Sequence, residues 1–248
     1  MSAALPSAFW SILLGMLGVV FGSFIATVAI RWPAGRSALA GRSTCDGCGR
    51  TLTASELVPL VSFAMLRGRC RTCAAPIAAG HVVTELLGGA IGVVAGLVAP
   101  GWEGLAAAAC GWVLLALGAI DLAAFWLPDV LTGSLAVVAL AGGLAGLGVD
   151  IEARLIGGAA GFGVLWLVAR AYRIMRGRVG LGGGDPKLFG AIGLWLGWRA
   201  LPQVLLIAAL TGLATVLVLR LAGRRIAATD RIPLGTLLAG AAFLSWAI

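Results

Sequence analysis

Residues 1–30 read MSAALPSAFW SILLGMLGVV FGSFIATVAI, without one charged side chain. A helix needs roughly 20 apolar residues to cross a bilayer, and this run exceeds that. It is not isolated. Charge-free runs return at 86–102, 104–120, 130–149, 155–169, 200–219 and 232–248, the last interrupted only by Pro233 near its start. Composition agrees: 60 % of the 248 residues are hydrophobic and 11 % charged, with a mean hydropathy of +1.05. Soluble domains run at about 45–50 % and about 25 %. A water-soluble globule, a disordered chain and a disulfide-stapled secreted miniprotein are thereby excluded. What remains is an all-α polytopic membrane protein, since helices satisfy their own backbone in lipid.

A shorter eighth run, 188–198, follows Gly180-Leu-Gly-Gly-Gly-Asp-Pro-Lys187. The sequence therefore predicts about eight transmembrane helices, the sixth opened by a glycine-rich broken turn. A cleaved signal peptide is the rival reading of the first helix. It would have a basic start and a shorter apolar stretch. The net charge of +8 would point to nucleic acid in a soluble protein; in a membrane it records basic residues kept on the cytoplasmic side, and no nucleic-acid partner is expected. Threading eight spans from an external N-terminus puts Arg31, Arg36, Arg42, Arg50, Arg67, Arg69 and Arg71 inside, then Arg173, Arg176, Arg178 and Lys187, then Arg220, Arg224, Arg225 and Arg231. Only Arg154 and Arg199 fall outside, with Glu103, Asp150 and Glu152. Both termini are expected to be external. Trp10, Trp32, Trp102, Trp126 and Trp198 lie near span ends as interfacial anchors would. The pairs Gly88/Gly92, Gly92/Gly96, Gly142/Gly146 and Gly157/Gly161 read as close helix packing.

Residues 31–80 are the one hydrophilic segment, a cytoplasmic insertion between the first helix (1–30) and a seven-helix membrane core (81–248). The insertion carries Cys45-Asp-Gly-Cys48 and, 21 residues later, Cys70-Arg-Thr-Cys73. Two C-x-x-C pairs at this spacing match a zinc ribbon, in which four thiolates close one tetrahedral structural site. Such a site supplies the folding energy that a segment this small lacks. Paired disulfides are the rival, disfavoured on the cytoplasmic side; a redox pair would not need a duplicate. Cys110 reads as a small packed hydrophobe, and His81 as a polar residue at the interface.

Carboxylates at span ends invite a functional reading because they are costly in a bilayer. Four stand out: Glu85, Asp121, Asp129 and Asp185. Asp121 closes the third span, and Asp185 opens the sixth behind Gly182, Gly183 and Gly184. The threading brings both near the cytoplasmic face. Two acids in a partly dry site cannot both ionise easily, so one holds a proton while the other activates water. The three glycines would clear side chains from the approach of a peptide backbone. Asp129 reads as an N-cap after Pro128, and Glu85 as either the partner of an arginine or the lining of a polar cavity. The glycine run with Lys187 fails the phosphate-loop pattern, having no Gly before the Lys and no Ser or Thr after it. On residues alone, a cation site or proton relay of a transporter competes with a protease.

Taken together, these motifs resemble one family, the type IV prepilin peptidases, the bacterial inner-membrane GxGD aspartic proteases. The resemblance rests on Gly22-Ser-Phe24 with Arg31 and Pro33, and on the cysteine pairs bracketing Val58-Pro-Leu-Val-Ser-Phe63. It rests further on Leu66-Arg-Gly-Arg-Cys70, on Asp121 with Leu127-Pro-Asp-Val-Leu-Thr132, and on Gly180 to Leu188. It implies removal of a short basic leader from prepilins or pseudopilins at the cytoplasmic face of the bacterial inner membrane. It also implies methylation of the new N-terminus from S-adenosylmethionine. The catalytic pair carries over to Asp121 and Asp185, supported by Gly182, Gly183, Gly184, Asp129 and Lys187, with a structural zinc on Cys45, Cys48, Cys70 and Cys73. The sequence departs from the family at Ala26, where Asn is usual, at Ala78 to Glu85, where an Arg-Tyr-Pro-like run is usual, and at Pro186. The alternatives are an ion-coupled transporter using the same acids and a non-enzymatic assembly protein of a pilus or secretion machine. Oligomeric state leaves no mark on the sequence.

Overall fold

A computed structural model describes residues 6–224 and 231–248; Arg225, placed inside by the threading, lies outside the described residues. The elements are α1 (Ser7–Arg31), α2 (Val61–Met65), α3 (Ala79–Val98), α4 (Trp102–Ala124), α5 (Asp129–Leu144), α6 (Ile151–Arg176), α7 (Gly184–Leu196), α8 (Leu201–Leu221) and α9 (Leu234–Ala247). Apart from the short α2, each overlaps one expected charge-free run. No strand forms among the described residues, only the isolated bridges Thr44–Thr51 and Arg69–Pro76. The all-helical expectation holds.

Among the described residues, five helices, α1, α3, α4, α6 and α8 with the turn before it, are long and apolar enough to cross a membrane. The others have 16 (α5), 13 (α7) and 14 (α9) residues. At 1.5 Å per residue they rise only about 20–24 Å, against a hydrocarbon core of about 30 Å. Their limits have local causes, and α5 also stops at Leu144, short of the end of its run at 149. Pro128 and Pro233 hold extended or near-extended backbone before α5 and α9, and α7 opens at Gly184, within the glycine turn. In the other direction, α6 runs past the expected end at Ala169 and carries Arg170, Arg173 and Arg176 before Gly177 stops it with φ of 65°. On α8 the side chains of Leu206, Leu210, Leu213 and Leu217 all stay exposed. Spaced three and four apart, they form a stripe suited to lipid.

The chain divides into two compact units, Met1–Ala108 and Ala109–Ile248, the boundary falling within α4. In the first, α1 packs along α3 at backbone contact. A Cβ on Gly88 or Gly92 would overlap the carbonyl groups of Gly18 or Leu14, and one on Gly96 would meet Ser11 at 2.5 Å. In the second, α6 packs on α7, with Gly157 and Gly161 against the backbone of Gly193 and Phe189. The Gly142/Gly146 pair is different: a Cβ on either meets nothing within 4 Å.

Arg154, expected at an external loop, is instead 3 % exposed. Its guanidinium donates to the carbonyls of Ala139 (2.9 Å), Leu147 (2.5 Å), Val149 (2.7 Å) and Leu194 (3.2 Å). Leu194 lies in the last turn of α7, where carbonyls lack helical partners, Ala139 lies within α5, and Leu147 and Val149 lie in the loop before α6, so one cation ties α5, that loop and the end of α7 to the start of α6.

Candidate active site and metal centre

Asp121 occupies the last turn of α4 and is 5 % exposed; Asp185, in the first turn of α7, is 7 % exposed. Each is held by amide groups at a helix start, where free N–H groups and the positive end of the helix dipole favour a carboxylate. Thr236, in the first turn of α9, donates its amide to Asp121 Oδ2 at 2.8 Å. Its hydroxyl donates to the Gly118 carbonyl (2.8 Å) and stands 3.3 Å from the same carboxylate oxygen. Asp185 Oδ2 accepts from the Gly182 amide at 3.0 Å. Leu127 belongs to the surroundings of both acids. A Cβ on Gly235 would lie 2.9 Å from both Asp121 Oδ2 and Leu127 Cδ2, while one on Gly184 would lie 2.8 Å from Leu127 Cβ.

The three glycines before Asp185 differ in their surroundings. Gly184 is packed on Leu127, and a Cβ on Gly182 would come to 3.0 Å from Asp185 Oδ2; one on Gly183 meets nothing within 4 Å. Only Gly183 opens onto free space. Asp129 does not cap α5: Pro128 occupies the N-cap position and no side chain bonds there. The Asp129 carboxylate instead accepts from Lys187 Nζ at 2.7 and 2.8 Å, an exposed pair joining the first turns of α5 and α7. A cation from a neighbouring helix outcompetes the local amides. Gly235, Thr236 and Leu127 were not legible as site residues. Pro233-Leu-Gly-Thr236 ahead of a charge-free run does signal a helix start, but not which acid it faces.

In the insertion, Cys45, Cys48, Cys70 and Cys73 bring their sulfurs within 4.8 Å of one another, and Cys45 Sγ lies 3.8 Å from Cys73 Sγ. A tetrahedron of ~2.3 Å metal–sulfur bonds has edges of about 3.8 Å, so the cluster fits a four-thiolate metal ion. The two knuckles repeat one backbone pattern. Gly49 donates to the Cys45 carbonyl (2.9 Å) as Ala74 does to Cys70 (3.0 Å), and Cys45 and Cys70 accept the chain back by donating to Arg50 and Ala75 (2.8 Å each). Both knuckles need positive φ at the residue after the second cysteine, 69° at Gly49 and 56° at Ala74. The amides of Cys73 and Thr72 hold the Cys70 thiol down at about 6, whereas, against the Ala75 amide, burial and the neighbouring Cys70, Cys48 and Cys45 thiols push Cys73 up to about 11. Arg50 pairs with Glu56 at 2.6 Å and, with the Thr53 amide and hydroxyl, holds that carboxyl down at about 2.

Glu85 resolves to the second of its two readings. It is 6 % exposed, lines a cavity within the first unit, and accepts from the Leu60 amide at 2.8 Å, with no arginine on it among the described residues. Cys110 is 1 % exposed, as a packed hydrophobe should be.

Comparison with known proteins agrees with the two-unit layout. Residues 16–98 match the bacterial peptidase A24 N-terminal domain, and residues 108–217 match the type IV leader peptidase family. A prepilin leader peptidase/N-methyltransferase of Burkholderia pseudomallei (strain K96243) is 39 % identical over 98 % of this chain and 87 % of its own length. One of the same name from Aeromonas hydrophila is 47 % identical over 69 % of this chain and 59 % of its own. Another from Dickeya chrysanthemi is 38 % identical over 84 % and 82 %. No solved structure matches the chain. The transporter alternative finds no support in these families or relatives. With several helices apolar enough to span a bilayer and relatives of this kind across nearly its whole length, this multi-pass membrane protein belongs to the type IV leader peptidase family.

Proposed function

We propose that this chain is a membrane aspartic endopeptidase that removes the short basic leader of type IV prepilins or pseudopilins and then N-methylates the new N-terminus. The observation that carries the peptidase reading is the pair of buried carboxyls, Asp121 and Asp185, each anchored through Oδ2 to amides at a helix start. Anchoring one oxygen fixes the direction of the other. Two acids so confined favour a single shared proton. One carboxylate takes a proton from water as it attacks the scissile carbonyl; the other, protonated, donates to the carbonyl oxygen. Their roles then interchange, and the pair titrates as a unit. Gly183 leaves the approach to Asp185 open, and the Lys187–Asp129 pair holds α5 and α7 together beside it.

The second unit carries the peptidase core. The insertion, 31–80, holds zinc on Cys45, Cys48, Cys70 and Cys73; with all four positions taken by thiolate, the ion stabilises the fold and leaves no place for water. S-adenosylmethionine supplies the methyl group. The enzyme sits in the bacterial inner membrane with eight spans, both termini outside and the acids at the cytoplasmic face.

The test is purified protein in lipid with a prepilin bearing a basic leader, read by intact mass. Leader loss and a single methyl gain appear as separate mass changes. An intact prepilin after incubation with active-site-competent, correctly folded protein overturns the reading. Reporter fusions at residues 125 and 177 should both report cytoplasm; an external report at both removes the acids from the face where the leader lies.

A further inference from the structure

Two activities stand in the relatives' names, yet all the residues around Asp121 and Asp185 lie in the second unit. The first unit has a cavity of its own, about 380 Å3, enclosed by α1, the insertion and the start of α3. That is the size of small-molecule and cofactor sites, about 300–1,000 Å3. The charged and titratable groups around it, cysteines apart, are Arg31, Arg36, Asp46, Glu56, His81 and Glu85, and Phe24 and Phe63 give it aromatic walls. Two of these charges already have partners. Glu56 is taken by Arg50, and Arg31 reaches the carbonyls of Ser37 and Arg42. Glu85 differs: it is a buried acid on an apolar helix with only Oε2 engaged, on the Leu60 amide.

That amide is held in an unusual backbone. Leu60 has φ 59° and ψ −46°, and the Val61 amide closes onto the Pro59 carbonyl at 2.6 Å, a γ-turn of the strained, positive-φ kind. Strained backbone held in place by its surroundings gathers at functional sites. Here it aims one N–H at Glu85 and fixes the carboxylate at the cavity wall.

We propose that this cavity is the methyl-transfer site, which takes a nucleoside sulfonium methyl donor together with the N-terminal ammonium of the cut pilin, and that Glu85 is the base that receives the ammonium proton. This rests on the peptidase/N-methyltransferase reading above. The proton passes from nitrogen to Glu85, and the freed lone pair forms the N–C bond to the methyl carbon. The C–S pair leaves on sulfur as a neutral thioether, and Glu85 returns its proton to water. Arg36 suits the donor's carboxylate, and Phe24 and Phe63 its flat base.

The experiment uses the full chain in lipid, with a pre-cut pilin and methyl-labelled S-adenosylmethionine for transfer, an uncut prepilin for cleavage, and S-adenosylhomocysteine for equilibrium binding. Glu85→Gln keeps an acceptor for the Leu60 amide but cannot take a proton. It should cleave leader normally and bind S-adenosylhomocysteine normally, yet transfer methyl about 10²-fold more slowly or worse at pH 7. Its residual rate should rise roughly five- to tenfold by pH 9, as an α-amine of pKa ≈ 7.7–8.0 deprotonates unaided. Thr27→Trp, which fills the cavity from α1, should weaken S-adenosylhomocysteine binding at least tenfold while leaving cleavage in place. Full methyl transfer by Glu85→Gln with loss only in Glu85→Ala would show that Glu85 serves the Leu60 turn alone and would overturn the inference. So would normal S-adenosylhomocysteine binding by Thr27→Trp, or a wild type that cleaves and never methylates. Wild-type protein that does neither overturns the functional reading itself.

Discussion

Replacing Gly235 with Ala should separate the geometry of the acid pair from its chemistry. Gly235 is not acidic and lies 50 residues beyond Asp185 in sequence, yet its missing Cβ is what lets the first turn of α9 approach Asp121. An added methyl would lie 2.9 Å from Asp121 Oδ2, 3.0 Å from its Cγ and 2.9 Å from Leu127 Cδ2. Ordinary carbon contacts begin near 3.5 Å, so the methyl is about half an ångström too close on two sides. Leu127 cannot simply retreat, because Gly184 already packs against its Cβ side. The carboxyl must therefore shift and stretch its 2.8 Å bond to the Thr236 amide. Overpacking of this kind costs about 1–3 kcal/mol of stability. A misplacement of ~1 Å can cost about 10² in rate; half of that, with a weakened charged hydrogen bond worth about 1.5–3 kcal/mol, gives a combined loss of roughly 10² to 10³ in kcat/KM. Leader cleavage should be followed by intact mass at matched protein levels, alongside thermal unfolding in the same lipid. A Gly235→Ala protein with wild-type kcat/KM would refute the claim that α9 positions Asp121.

Asp121→Asn and Asp185→Asn should each lower cleavage by about 10³-fold or more, with the double variant little worse than either single one, since the pair acts as a unit; substantial cleavage by Asp185→Asn removes the dyad. Gly183→Ala, adding a methyl where nothing lies within 4 Å at an ordinary φ of −67°, should leave stability and kcat alone and raise KM, whereas Gly184→Ala should lower kcat; equal effects of the two in a kinetic comparison would count against the assignment of only Gly183 to the open approach. Arg154→Met strips charged hydrogen bonds from carbonyls of α5, α7 and the loop between α5 and α6, and should cost about 3 kcal/mol or more, seen as a lower unfolding temperature; an unchanged midpoint contradicts it. Metal analysis should find about one zinc per chain, and Cys45→Ser or Cys70→Ser should loosen the insertion to proteolysis more than it slows leader cleavage; metal loss with an unchanged digestion pattern would show that the ion does not hold the insertion.

Membrane class, the eight helical runs and the four-cysteine cluster were legible because each depends on signals a few residues long. Charge-free length, proline and glycine at the ends, and C-x-x-C spacing all act locally. Asp121 and Asp185 stood out as acids at span ends, where a carboxylate is costly, and the structure buries both. What encloses those acids was not. Thr236 reaches Asp121 across 115 positions, and Gly235 and Leu127 matter only through the absence or presence of carbon atoms at a contact between helices. Asp129 has the composition of a cap, and became an ion pair because folding brought Lys187 to it from 58 residues away. Arg154 counts as an external charge in the threading, yet it is buried because α5, α7 and the loop between α5 and α6 together offered it four carbonyls. Glu85 could have met an arginine or a cavity, and the insertion folding back over α1 and α3 decided for the cavity. Local propensity sets which segments become helices, whereas partners for a buried polar group are chosen among all groups that packing brings within about 3 Å, and only the tertiary structure determines that set.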